Sequence, residues 1–294
     1  MKKDVFSESE RLDSIATEIR DVFKNWGYEE IFLPSIAEYS EGLRKGLKIT
    51  HDNQFYVVKP DITSQISADF KGESPTRRYY ISEILDGIDR TLQAGIEYLC
   101  TDPLKNKVET LSIIISVLER LNIEDFYIDI GSLQIWREYM EEVKQYEEEI
   151  FKALKRRNLS LIDDLPVPEE KKDELWELLN TRGKQCGFNK IDQLSEIVDD
   201  ERIYADLGTV RPLTYYDDII FEIYSSRVGY PIGGGGEYTV NGIHGCGFAL
   251  DLGLISEIYE GDNEDDPVEI RGDLETCYAQ ALELVKEGEK VVIE

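Results

Sequence analysis

Apolar residues recur at helical spacing near the start of the chain. Leu12, Ile15, Ala16, Ile19, Val22, Phe23 and Trp26 fall on one stripe behind Ser7-x-x-Glu10, a capping-box signature, so a long amphipathic helix is predicted to end at Gly27. The period then shortens. Residues 28–33 read as a short strand closed by Pro34 and residues 54–59 as another, while Pro60-Asp61-Ile62-Thr63 supplies the proline and N-cap chemistry to start a helix through Phe70. Residues 78–84 and 91–99 read as a hairpin with Asp86 and Gly87 in its turn. Strand side chains alternate, so Gln93, Gly95 and Glu97 share one face, where they either line a small polar pocket or meet solvent. Residues 106–121 predict a second long helix, buried through its apolar run from 111 to 118, and residues 126–130 a strand.

From residue 132 to 199 the pattern turns helical and rich in lysine and glutamate, with a break at Leu165-Pro166-Val167-Pro168, which reads as a helical insert on a sheet domain. A strand follows, in which Tyr216, Ile219, Phe221 and Ile223 alternate with Asp218, Ile220, Glu222 and Tyr224. The run Gly233-Gly234-Gly235-Gly236 then reads as a turn that lets the backbone approach a ligand or another strand, before a second apolar segment at 246–252. Two readings stay open: the floor of a ligand site edged by Arg211, Tyr216 and Tyr238, or a tight hairpin with a glycine bulge and core tyrosines. No Lys-Ser/Thr pair follows the glycines, which excludes a Walker-type phosphate loop. Residues 268–270, 273–286 and 290–293 give strand, helix and strand, a short βαβ-like tail.

Composition narrows the partners. With 33 Lys+Arg against 61 Asp+Glu the formal net charge is −28, so the summed field repels nucleic acid and anionic membranes. The dense basic spots Arg77-Arg78 and Lys155-Arg156-Arg157 read as solvated faces. The 41% hydrophobic residues suffice for a sizeable core. Cys100, Cys186, Cys246 and Cys277 stand far apart without a CxxC pair, which fits a reduced compartment. His244-x-Cys246 is a weak metal signal, and neither metal nor cofactor is expected. The start is charged, without an apolar leader, and no apolar run reaches membrane-spanning length, so a soluble cytoplasmic protein is expected.

Taken in order, GYEEIFLP (27–34), PDIT (60–63), QAGIE (93–97), RPLTYY (211–216), GGGGEYTVNG (233–242) and GFALDL (247–252) resemble the catalytic domain of the class II histidyl-tRNA synthetase family. Within it the chain is most similar to the regulatory subunits of short-form ATP phosphoribosyltransferase. The resemblance implies an α+β fold, a class II aminoacyl-tRNA synthetase-like antiparallel sheet flanked by helices over residues 1–255, with 132–199 as the insert. Residues 256–294 would be a remnant of an anticodon-binding-like domain. It also implies a histidine-binding set of Asp61, Thr63, Gln93, Glu97, Arg211, Tyr215, Tyr216 and Tyr238. Asp61 and Thr63 would hold the amino group, Glu97 the imidazole, and Gln93 and Arg211 the carboxylate end, a sensible match of charges.

The departures from the synthetase pattern carry as much meaning. The arginine that meets the ATP α-phosphate falls at or next to Asp86, and the Glu-Arg pair of the third motif falls at Gly253-Leu254. GGGRYD becomes Gly234-Gly235-Gly236-Glu237-Tyr238-Thr239, again an acid for an arginine. Each lost charge-assisted contact costs about 1.5–3 kcal/mol, so adenylate formation is expected to be lost. The resemblance thus implies a non-catalytic subunit that activates a short ATP phosphoribosyltransferase chain in a hetero-octamer, forms homodimers within it, and transmits L-histidine feedback. Two other readings are a divergent amino-acid-activating ligase and a stand-alone histidine sensor.

Overall fold

The computed structural model describes residues 5–43, 45–72, 74–156, 160–211, 215–261 and 268–293. Pro212 to Thr214 of the RPLTYY segment, Arg157, and residues 262–266 of the acidic loop lie outside them. The chain divides into two compact units, Ile15–Tyr259 and a smaller one of Met1–Ser14 with Glu260–Glu294.

Helix α1 (Val5–Asn25) buries Ile15, Ile19, Val22 and Phe23, the stripe that the periodicity predicts. Its start differs from the capping-box expectation. The helix is already formed at Val5, so Ser7 stands inside it and not at its N-cap. After it come β1 (Glu29–Glu30), β2 (Ile36–Glu38), β3 (Leu47–His51) and β4 (Gln54–Val58). Strands β2, β4 and β3 form a small antiparallel sheet in that order. Helix α2 (Ile62–Asp69) begins at Asp61, whose carboxylate accepts from the Ser64 amide at 2.9 Å.

The hairpin β5 (Thr76–Asp86) and β6 (Asp89–Cys100) is longer than predicted but turns at the expected place, on Gly87 and Ile88. Helix α3 (Pro103–Arg120), capped by Asp102, packs on β6 and on a later strand, β12 (Ile243–Asp251). It buries Leu111, Ile113, Ile114, Val117 and Leu118, and full burial of such a side chain contributes about 1.5–3 kcal/mol. Next come β7 (Phe126–Ser132) and the helices of the insert, α4 (Leu133–Tyr139), α5 (Glu147–Lys155), α6 (Ser160–Asp163), α7 (Glu169–Leu179) and α8 (Asn189–Val198). A two-residue strand, β8 (Arg182–Gly183), interrupts them and joins β9 (Ile203–Asp206). The insert is tied to the sheet: Lys190 of α8 reaches the buried Asp218 at 2.6 Å, and Trp136 of α4 donates to the Leu207 carbonyl at 2.6 Å.

Strands β10 (Tyr216–Ser225) and β11 (Gly233–Val240) complete a sheet of nine strands among the described residues, ordered β1-β5-β6-β12-β11-β10-β7-β9-β8. It is antiparallel except for the pairs β1/β5 and β7/β9. The glycine run is not the turn that its composition suggests. Gly233 to Gly236 lie inside β11, hydrogen-bonded to β10 on one side and β12 on the other, and the turn falls later, at Asn241-Gly242 with φ of 50° and 78°. Crowding demands glycine here: a Cβ on Gly234 would sit 2.7 Å from the Phe221 carbonyl oxygen and would push aside the end of the Arg211 side chain. Helix α9 (Leu252–Ile258) then packs on β6 and β12.

The tail forms β13 (Val268–Ile270), α10 (Leu274–Glu287) and β14 (Val291–Ile293), with the strands parallel and Asp273 capping the helix through the Thr276 amide at 3.0 Å. Among the described residues no helix is long and apolar enough to cross a membrane.

Candidate functional site

The sheet register assembles the site. Residues opposite one another across an antiparallel pair share a face, so Tyr216 of β10 stands by Tyr238 of β11, and Glu97 of β6 by Gly247 of β12. The start of α2 adds Asp61 and Thr63, and the segment before β10 adds Arg211 and Tyr215. All eight residues named from the sequence, Asp61, Thr63, Gln93, Glu97, Arg211, Tyr215, Tyr216 and Tyr238, line one cavity. Its volume is about 60 Å³, room for about four to six waters at roughly 10–15 Å³ each.

Glu97 is the centre of the cavity's polar chemistry. It is 2 % exposed, accepts from the Thr63 hydroxyl at Oε1, and accepts from the Tyr238 hydroxyl at Oε2 at 2.6 Å. Burial pushes its carboxyl up to about 7, against the two hydroxyl donors and with a smaller push from the Asp61 charge. Burial likewise raises Tyr216 to about 12 and drives Tyr215 and Tyr238 well up, so these phenols remain protonated donors. The Tyr215 and Tyr216 rings meet edge to face with centroids 4.6 Å apart.

Asp61 is both cap and wall. Its Oδ2 accepts from the Ser64 hydroxyl at 2.7 Å and its Oδ1 from the Ser64 amide, so the α2 terminus fixes the carboxylate against the cavity. Arg211 supplies the opposite charge. Its Nε lies 4.0 Å from Glu222 Oε1, and its buried Nη1 makes no hydrogen bond among the described residues. Two further lining residues escape the motif reading. Tyr80 of β5, opposite Gly95, is fully buried, and burial followed by the Glu97 and Asp61 charges raises its phenol well up. Lys45, in the loop before β3, adds a second cation. The alternation along β5 was the available signal for Tyr80; Lys45 sits in a loop with no periodicity to mark it.

Asp86, the last residue of β5, which the resemblance sets at a phosphate contact of the synthetase, lines a separate cleft of about 560 Å³ together with Lys45, Lys155, Arg156, Arg211 and Glu222. Gly253 and Leu254 open α9, and their amides are capped by Asp251 at 2.9 and 3.2 Å. Glu237 is held by Lys107 of α3 and accepts from the Ile219 amide at 3.1 Å. The cavity therefore gathers two carboxyl groups and two cations, with phenol and amide groups between them.

Comparison with known proteins bears on the fold and the family. The ATP phosphoribosyltransferase regulatory subunit of Caldanaerobacter subterraneus subsp. tengcongensis is 28% identical over 76% of this chain and 71% of its own. That of Stutzerimonas stutzeri is 24% identical over 97% of this chain and 87% of its own. Among solved structures, an ATP phosphoribosyltransferase regulatory subunit/histidyl-tRNA synthetase from Bacillus halodurans superposes with a TM-score of 0.80 at 19% identity, covering 100% of this chain and 91% of that one. A chain of the ATP phosphoribosyl transferase (HisG:HisZ) complex from Thermotoga maritima gives 0.67 at 19% identity, covering 85% and 98%. These likenesses establish the class II synthetase-like fold. The histidyl-tRNA synthetase pattern itself matches residues 5–255, and the chain belongs to the histidyl-tRNA synthetase family.

Proposed function

We propose that this chain is the non-catalytic regulatory subunit of a short-form ATP phosphoribosyltransferase, needed for the activity of the catalytic chain and for histidine feedback on the first step of histidine biosynthesis. Relatives that carry that name over most of their length support the role. One observation supports it further. The cavity is lined by the carboxyl groups and cations that suit an amino acid, whereas the resemblance sets Asp86, Gly253 and Leu254 at the synthetase's phosphate contacts. A protein so built binds free L-histidine without activating it.

In this reading Asp61 and Thr63 take the ammonium, Glu97 with Tyr238 the imidazole, and Arg211 with Gln93 the carboxylate; Tyr215 and Tyr216 close the side. The regulatory chains pair as homodimers and join the catalytic chains in a hetero-octamer. Histidine acts by binding one state of that assembly more tightly than the other, which is what feedback requires. The test is phosphoribosyl-ATP synthesis by the short catalytic chain with and without this protein, across a histidine titration. Activity that needs the mixture and falls with histidine is expected. Activity unchanged by the addition would overturn the reading.

A further inference from the structure

Lys45 belongs to two walls at once. It lines the small cavity with Asp61 and Glu97, and the larger cleft with Asp86 and Glu222; Arg211 is the other cation common to both. Cavity and cleft therefore meet at one lysine and one arginine.

The backbone under Lys45 is fixed. Lys45 and Gly46 both have positive φ, 55° and 79°, and the buried Gly46 donates its amide to the Leu85 carbonyl at 2.6 Å, next to a bridge with Asp86 at the end of β5. A Cβ on Gly46 would sit 3.0 Å from the Val58 carbonyl oxygen and 3.2 Å from Pro60 Cα, so glycine lets the loop lie against the segment that leads into Asp61. A lysine at positive φ is uncommon, and this clasped turn holds it beside the cavity.

The side chain, by contrast, is uncommitted. Lys45 is exposed, and among the described residues its ammonium makes no ion pair, hydrogen bond or cation–π contact, although acids outnumber bases by 61 to 33 in the chain. Arg211 already has an acid at 4.0 Å, Glu222. A ligand carboxylate that enters a cavity holding Asp61 and Glu97 meets like charge, which an arginine shared with Glu222 offsets only in part. The remaining cation on that wall is Lys45.

We propose that Lys45 closes on the carboxylate of the bound amino acid together with Arg211, and that this pair makes the site select the free amino acid over derivatives whose carboxyl end carries no charge. The ligand rests on the reading above; the residue and the selection go beyond it. Specificity is a difference of affinities, and an uncharged analogue gains nothing from Lys45.

The test is calorimetry on the full chain with L-histidine and with L-histidinol, which carries a hydroxymethyl group in place of the carboxylate. Lys45→Gln should bind histidine about tenfold more weakly than wild type, the order of a charge-assisted contact, and histidinol as wild type does. Lys45→Arg, which keeps the cation, should recover most of the histidine affinity. A loss shared equally by the two ligands would mean that Lys45 only shapes its loop, and overturns the proposal; so does a Lys45→Arg variant as weak as Lys45→Gln. Histidine bound equally by wild type and Lys45→Gln overturns the role of Lys45 alone. Wild-type protein that binds neither compound overturns the amino-acid reading and this role with it.

Discussion

Glu97 keeps its proton to about 7 because burial opposes its charge, and the hydroxyls of Thr63 and Tyr238 only partly compensate. In the unfolded chain it titrates at an ordinary glutamate value. Between those two pH values the native state holds the extra proton, so this group's contribution falls as pH rises through the window and is fully lost above about 7. The loss is on the order of 3 kcal/mol at about 1.4 kcal/mol per unit. Glu97→Gln removes the titration; in urea denaturation from about pH 5 to about pH 8, wild-type stability should decline relative to the variant, and parallel curves would show that Glu97 ionises as in water. Glu97→Ala should also weaken histidine binding by about tenfold or more, the worth of a hydrogen bond to a charged group, whereas Glu148→Ala on α5 should leave it unchanged. Calorimetry that finds the two variants alike would remove Glu97 from the site.

At the scale of elements, β11 shows what local pattern can and cannot reveal. Four glycines look like a turn because nothing within the segment asks for any other geometry. The demand comes from across the sheet and from the site, where Arg211 lies against Gly234, and a single sequence does not display that neighbour. Gly234→Ala should displace Arg211 and meet the Phe221 carbonyl, 2.7 Å from the new Cβ, at a cost of about 1–3 kcal/mol. Thermal melting should fall accordingly, and histidine affinity should drop more than it does for Gly229→Ala, a position with open space around it. Helices read better: the apolar stripes of α1 and α3 are periodic over many residues, so their buried faces are legible without any partner. The start of α1 was not legible, because a capping box describes a local option that helical residues before Ser7 override. The site was legible as a set because its members sit in short ordered motifs, while Tyr80 and Lys45 enter through the register of β5 and a loop approach.

At the scale of the whole molecule, charge decides the partners. Asp86→Arg with Leu254→Arg would put cations where the resemblance sets the synthetase's phosphate contacts, but the chain would still carry a large negative field that repels RNA. No histidyl-tRNA is expected in a charging assay with the double variant; a detectable signal would mean that RNA recognition survives in the acidic chain.

The Nη1 of Arg211, which meets no acceptor among the described residues, has a practical side. In the histidine-binding reading it faces the ligand's carboxylate, so sulfate or phosphate in a buffer would compete for the same place. Titrations of the feedback ligand in such buffers would report an affinity set partly by the salt, and the choice of counter-ion becomes part of the biology being measured.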